Sequence, residues 1–226
     1  MTGRPGTGPA PAGPDLATGP GALSAPGRDH AAEGADLAEG ADLGAEGADL
    51  GAEVTGLAAE VAGLAAEVAG LAAEVAGLAA EVAGLVRLAR ARGASLVNIG
   101  HGRSPGAIAA ARAFAESWQA YGGAVGAVVS WPATAASWLR QARRLTTPVP
   151  DLWVIADDAP GWSAIAPRLL ETGLWDPGRT IAFSALAHPG LPTLAGDAAT
   201  EGLMVTRPDG TPAVYRDDRL LPLPLP

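Results

Sequence analysis

The sequence predicts an α/β protein: a single small lobe on a parallel sheet, preceded by a disordered low-complexity tail and a long heptad-repeat helix. Three observations lead there. Residues 1–30 are dominated by Pro, Gly, Ala and Thr, too little apolar surface to offset chain entropy. From Gly40 the chain repeats every seven residues. From residue 94, short apolar runs alternate with helix-period segments, the order of a parallel sheet joined by crossovers. The expected boundaries are 1–39 for the tail, 40–93 for the heptads and 94–226 for the lobe.

The heptads read "GADLGAE" twice, "VTGLAAE", "VAGLAAE" three times, then "VAGLVRL". Valine falls at a and leucine at d, the pattern of a parallel two-stranded coiled coil. Glu60, Glu67, Glu74 and Glu81 fall at g, with alanine at e, so interhelical ion pairing is missing. Glycine at c (Gly56 to Gly84) weakens the helix by about 1 kcal/mol per residue relative to alanine. Heptads 54–88 are the predicted homodimer interface, against a plain helical spacer. Gly93, after Arg87, Arg90 and Arg92, is the predicted stop, with cations at the helix end and glycine at C′.

In the lobe, "SLVNI" predicts a buried strand. Residues 106–121 predict a helix with Ile108, Ala111, Phe114, Ala115 and Trp118 inward, ended by Gly122 and Gly123. "AVGAVVSW" predicts the next strand. "TAASWLRQARRL" predicts a helix capped by Thr134. "PDLWVIA" is a third strand and "GWSAIAPRLLETG" a third helix, kinked at Pro167. "RTIAFSAL" is a fourth strand, and "EGLMVTRP" and "PAVYRDDRLLPL" are short ones. Parallel pairing with right-handed crossovers follows from this alternation.

Composition excludes several chemistries. The chain has no cysteine, hence no thiolate nucleophile, disulfide or Cys-ligated zinc. All 15 basic residues are arginine, which excludes a P-loop lysine and a Schiff base. Residues 1–93 hold 13 acids and 5 arginines, net −8, and residues 94–226 hold 11 acids and 10 arginines, net −1. Neither part has the basic footprint of a nucleic-acid binder. No uninterrupted apolar run reaches the ~18 residues of a membrane span. No cofactor and no metal site are predicted.

The wording of the lobe resembles the second lobe of type I periplasmic binding proteins, from Leu85 to the end. "LARARGASLVNI" is similar to the helix and strand that open that lobe. "AARAFAESWQAYGGAVGAVVSW" is similar to its next helix, turn and strand, and "AASWLRQARRLTTPVPDLWVIADDAPGWSAIAPRLLETGLWDPGRTIAFSAL" to the following β-α-β passage. "LAGDAATEGLMVT" is similar to the lead into its last strands. Two branches compete: solute-binding components of amino-acid ABC transporters, and penicillin-binding protein activators of the cell envelope. The "VYRDDRLLPLPLP" ending leans to the activators. The resemblance implies a non-enzymatic ligand-binding or regulatory module, with a small molecule or an envelope protein as partner. It also implies a periplasmic or envelope location, whereas the sequence as written, with neither export signal nor lipid-modifiable cysteine, implies the cytoplasm. Family members carry a second lobe across the ligand cleft, so a truncated fragment is one expectation.

The candidate site is the loop "GHGRSPG", residues 100–106, placed after a strand and before a helix, where parallel sheets put ligand loops. Its glycine spacing is not that of the dinucleotide fingerprint. Gly106 matches the glycine that ends the family's acidic-x-x-aromatic-Gly loop, while Pro105 stands at the aromatic position. Ser104 and the helix start form an anion-accepting, cleft-facing candidate beside the plain-turn reading. Asp157 and Asp158 follow another strand in the same sense and join the ligand-binding candidates. Alternatively they cap a helix. Among the tryptophans, Trp118, Trp138 and Trp153 are predicted core; Trp131 and Trp162 are candidates to face a partner, Trp162 foremost. Two functions of other classes remain open: a coiled-coil assembly protein, and a small hydrolase using Ser104, His101 and Asp157 or Asp158, although no G-x-S-x-G elbow is present.

Overall fold

The computed structural model describes residues 42–224, so the expected tail at 1–39 lies outside the described residues. Residues 56–226 group as one compact unit. This unit holds the sheet and every candidate site residue.

The first helix, α1, runs Asp42–Ala91. It stops as the sequence dictates. Gly93 adopts φ 69°, its N–H donates to the Arg90 carbonyl (2.9 Å), and the Ala94 N–H donates to the Ala89 carbonyl (3.1 Å). This is a Schellman end, which needs a residue tolerant of the left-handed region. Between Leu57 and Val75 the a and d side chains are 61–69% exposed. From Leu78 onward the same stripe turns onto the sheet: Leu78 is half-buried, Val82 is 5% and Leu85 0% exposed. Of the interface expected over heptads 54–88, the part from Leu78 to Leu85 is taken by the chain's own lobe. Gly51–Ala91 is long and apolar enough to cross a membrane by length and composition, with an 18-residue stretch of mean hydropathy 1.6. A glutamate every seventh residue breaks the run and conceals this in the sequence.

One repeat glycine differs from its copies. At Gly56, Gly63, Gly70 and Gly77 an added Cβ would meet nothing within 4 Å. At Gly84 it would lie 2.4 Å from the Gly210 carbonyl oxygen, because the 207–211 turn lies directly on the helix. Arg87 Nη2 donates to that same carbonyl at 3.3 Å.

The lobe continues as β1 (Leu96–His101), α2 (Pro105–Ala120), β2 (Ala124–Ser130), α3 (Leu139–Leu145), β3 (Leu152–Ala156) and α4 (Ala159–Leu170). Then come β4 (Thr180–Ala182), α5 (Leu191–Ala195), α6 (Asp197–Thr200), β5 (Met204–Thr206), β6 (Pro212–Arg216) and β7 (Arg219–Pro222). The sheet order is β2-β1-β3-β4-β5-β6-β7. Pairing is parallel through β5 and antiparallel for β6 and β7. Alternation along β3 shows why its whole run is apolar. Trp153 and Ile155 join α3 and α4 on one face, and Leu152, Val154 and Ala156 join α1 and α2 on the other.

Several elements differ from expectation for identifiable reasons. On α2, Ala107 and Ala110 are buried in place of Ile108, which is 47% exposed. Ala107 and Ala110 fall in the same arc as Ala111, Phe114 and Trp118, whereas Ile108 lies about 100° from Ala107 around the helix. The expected cap Thr134 is exposed and α3 begins only at Leu139. Phe183 leaves the fourth strand for a 3-10 turn at Ser184–Leu186, so β4 has three residues. "PAVYRDDRLLPL" is a hairpin rather than one strand: Asp217 and Asp218 take φ 49° and 59°. Two left-handed central residues make the two-residue hairpin turn, and Asp is among the side chains that tolerate them.

Candidate functional site

The carboxyl ends of β1 and β3 meet where the strand order reverses. From β1 the chain moves outward to β2, and from β3 it moves the other way to β4. Loops part at such a switch point and leave a crevice, the usual ligand position in open α/β sheets. The Gly102 N–H donates to the Ala156 carbonyl at 3.0 Å and ties the two loops together.

Ser104 caps α2: its Oγ accepts from the Ala107 N–H at 3.2 Å, and Pro105 fills the first helical position, where no N–H is needed. Asp158 caps α4 in the same manner, with Oδ1 accepting from the Gly161 N–H at 2.8 Å. Each caps a helix while remaining exposed at the crevice.

Asp157 is held differently. It is 9% exposed, accepts from Trp131 Nε1 at 2.6 Å and from the Asp158 N–H at 2.9 Å. Two glycines make room for it. A Cβ at Gly102 would lie 2.2 Å from one carboxylate oxygen, and one at Gly161 would lie 2.3 Å from the other. Burial pushes its pKa above the ordinary aspartate value, against the opposing pull of the Trp131 and Asp158 hydrogen bonds.

These residues line one concavity of about 280 Å³. Ser104, Gly106, Asp157 and Asp158 all border it, which brings together four of the five sequence candidates. Its floor is apolar, from Leu78, Ala107, Ala110, Ala156 and Phe183. Trp162 is not among the lining residues, and its expected exposure is corrected: it is 0% exposed and edge-packed on Trp175 at 5.6 Å. Asp158 starts α4 at Ala159, two residues before the expected Gly161, and Trp162 falls on the inward face of this helix. Trp131, also a candidate to face a partner, is 1% exposed and spends its N–H on Asp157.

Two polar lining residues, Glu81 and Ser184, escaped the sequence reading. Glu81 of α1 accepts from the Ser184 N–H at 2.9 Å and from its hydroxyl at 2.8 Å, closing one wall. Glu81 is identical in context to Glu60, Glu67 and Glu74, and its one distinguishing signal is that the repeat breaks directly after it, at "VAGLVRL".

The triad drawn from sequence is not assembled by hydrogen bonds among the described residues. His101 Nδ1 bonds the Gly102 carbonyl at 2.6 Å, Ser104 Oγ is engaged with α2, and Asp157 with Trp131. Among the described residues no group of three His, Cys, Asp or Glu is placed to hold a metal ion.

Solved structures share this lobe. It is similar to a leucine binding protein from Thermotoga maritima, with TM-score 0.50 and 20% identity, over 55% of this chain and 35% of that one. The fold is that of one lobe of a type I periplasmic binding protein. Similarity extends to a substrate-binding periplasmic protein from Ralstonia solanacearum, with TM-score 0.48 and 16% identity, over 55% of this chain and 35% of that one. A solute binding protein of an ABC transporter from Rhodopseudomonas palustris, in complex with p-hydroxybenzoic acid, is similar with TM-score 0.47 and 20% identity, over 58% of this chain and 36% of that one. The chain thus spans about a third of the length of these proteins. No protein-family model matches it, and no curated protein does.

Proposed function

We propose that the lobe is a non-enzymatic binding module that takes a small amino acid at the carboxyl-edge concavity. The observation that carries this reading is the convergence of Ser104, Gly106, Asp157 and Asp158, from two loops far apart in sequence, on one pocket at the switch point. The chemistry of its walls supports a zwitterion. The start of α2 offers backbone N–H groups and the positive end of a helix dipole to a carboxylate. Asp157, Asp158 and Glu81 offer carboxylates to an ammonium group. Leu78, Ala110 and Phe183 offer apolar surface to a side chain. At about 280 Å³ the concavity lies just below the usual range for ligand pockets, ~300–1,000 Å³, which suits a small ligand.

Leucine is the probe, because a similar structure is that of a leucine binding protein. Titration of leucine into the isotope-labelled chain should move the amide signals of Gly106 and Ser184 saturably. 4-Hydroxybenzoate, an anion without an ammonium group, should not. Equal response to both, or to neither, would rule out the zwitterion reading.

The same module can serve either branch of the resemblance. The reading extends to a penicillin-binding protein activator if the bound partner is an envelope synthase. Association with a purified peptidoglycan synthase, measured with and without leucine, separates the two settings.

A further inference from the structure

We propose that a second copy of this chain covers the stripe Leu57–Val75 as a parallel, in-register two-stranded coiled coil that ends where the lobe begins, at Leu78. The stripe consists of Leu57, Val61, Leu64, Val68, Leu71 and Val75, each 61–69% exposed. It continues in unbroken register into Val82 and Leu85, which the lobe buries. One face is therefore covered below Leu78 and bare above it, over ~27 Å of helix axis. A helix in water is held mainly by burying such a face, and this segment lacks other support. At Gly63 and Gly70 an added Cβ would meet nothing within 4 Å, and each of these glycines weakens the helix.

The sequence of the stripe selects the occupant. Valine at a with leucine at d favours two parallel strands. The charges select the direction. In an antiparallel pair g faces g, which would set Glu60, Glu67 and Glu74 against the glutamates of the second copy. In a parallel pair g faces e, where every residue is alanine, so the like-charge contact vanishes. A bilayer is a poorer occupant. Each of these glutamates would have to be neutralised or paired there, whereas at the flank of a two-stranded coil it faces water.

The direction has a structural consequence. Because α1 runs antiparallel to β1, it leaves the lobe at the carboxyl edge, where Leu78 and Glu81 line the concavity. A parallel coil therefore places two lobes at one end, each with its concavity at the root of the coil. This inference does not depend on what the concavity binds.

The chain has no cysteine, which makes the test direct. Val61→Cys and Val68→Cys are made separately in the full chain and oxidised. A parallel in-register coil brings each a position against its own copy, so both variants should give disulfide-linked dimers, with light scattering of the parent at twice the chain mass. Leu64→Asp should return the chain to the monomer mass while the tryptophan fluorescence of the lobe is unchanged. A monomeric parent at micromolar concentration would overturn the proposal. So would crosslinking at only one of the two positions, which is the antiparallel result. Transfer of the chain into phosphatidylglycerol vesicles as a monomer would also overturn it.

Discussion

Replacing one glycine of the repeat by alanine should have different consequences at two positions that share the local sequence EVAGL. At Gly63 nothing lies within 4 Å of the new methyl group, so Gly63→Ala only improves the helix, by about 1 kcal/mol. At Gly84 the methyl group would meet the Gly210 carbonyl oxygen at 2.4 Å. That oxygen is backbone, and its residue adopts φ 76° while lying against Ala80, so the turn has little freedom to yield. Overpacking of this kind costs about 1–3 kcal/mol. Moving the turn also loosens the Arg87 hydrogen bond to Gly210, a further loss of about 1 kcal/mol. Set against the helix gain of about 1 kcal/mol, the net loss for Gly84→Ala is about 2 kcal/mol. All six tryptophans lie between Trp118 and Trp175, so urea denaturation followed by tryptophan fluorescence reads the lobe alone. The midpoint should fall for Gly84→Ala and stay put for Gly63→Ala, with far-UV helicity rising in the latter. Equal midpoints for the two variants would refute the docking of the 207–211 turn on α1.

Asp157→Ala should cost about 1–3 kcal/mol, because it leaves the buried Trp131 N–H without an acceptor, while Asp157→Asn restores an acceptor and most of the stability. The same residue sets a pH dependence. Its pKa is raised in the folded state by burial, so the native protein holds the proton to higher pH than the unfolded chain. Its contribution to stability is therefore fullest below the ordinary aspartate pKa and is lost as pH rises through the folded value. The midpoint difference between the parent and Asp157→Asn, followed from acid to neutral pH, should move in favour of the asparagine variant. A difference that does not change with pH would contradict this. Ser104→Ala should cost about 1 kcal/mol through loss of the α2 cap, and Ser104→Asp should recover it.

The sequence conveyed the order of the lobe because each β3-type run and each glycine stop had a local cause. "LWVIA" is apolar on both faces because it lies at the centre of a sheet covered on both sides. Gly93 stops α1 by its own backbone geometry. What failed was information held by partners remote in sequence. Nothing local says that Gly84 among identical glycines touches Gly210, or that Glu81 among identical glutamates reaches Ser184. Trp162 was misjudged because it was read as standing near a loop at the start of the helix, whereas α4 begins two residues earlier, at Ala159, and turns this side chain onto its inward face. The candidate residues Ser104, Gly106, Asp157 and Asp158 were legible because parallel strands send their following loops to one edge. The capping role of Asp158 was legible too, whereas that of Ser104 was not read; at both residues capping and pocket lining are two aspects of the same placement.

The most direct test of the account is a leucine titration of the full chain beside Asp158→Asn. Asparagine caps a helix as well as aspartate does, so this substitution removes a carboxylate from the concavity and leaves α4 intact. The account predicts saturable shifts of the Gly106 and Ser184 amides in the parent, and affinity weakened by about tenfold in the variant, the worth of a charge-assisted over a neutral hydrogen bond. Shifts confined to residues away from the concavity, or equal affinity in the two proteins, would contradict it.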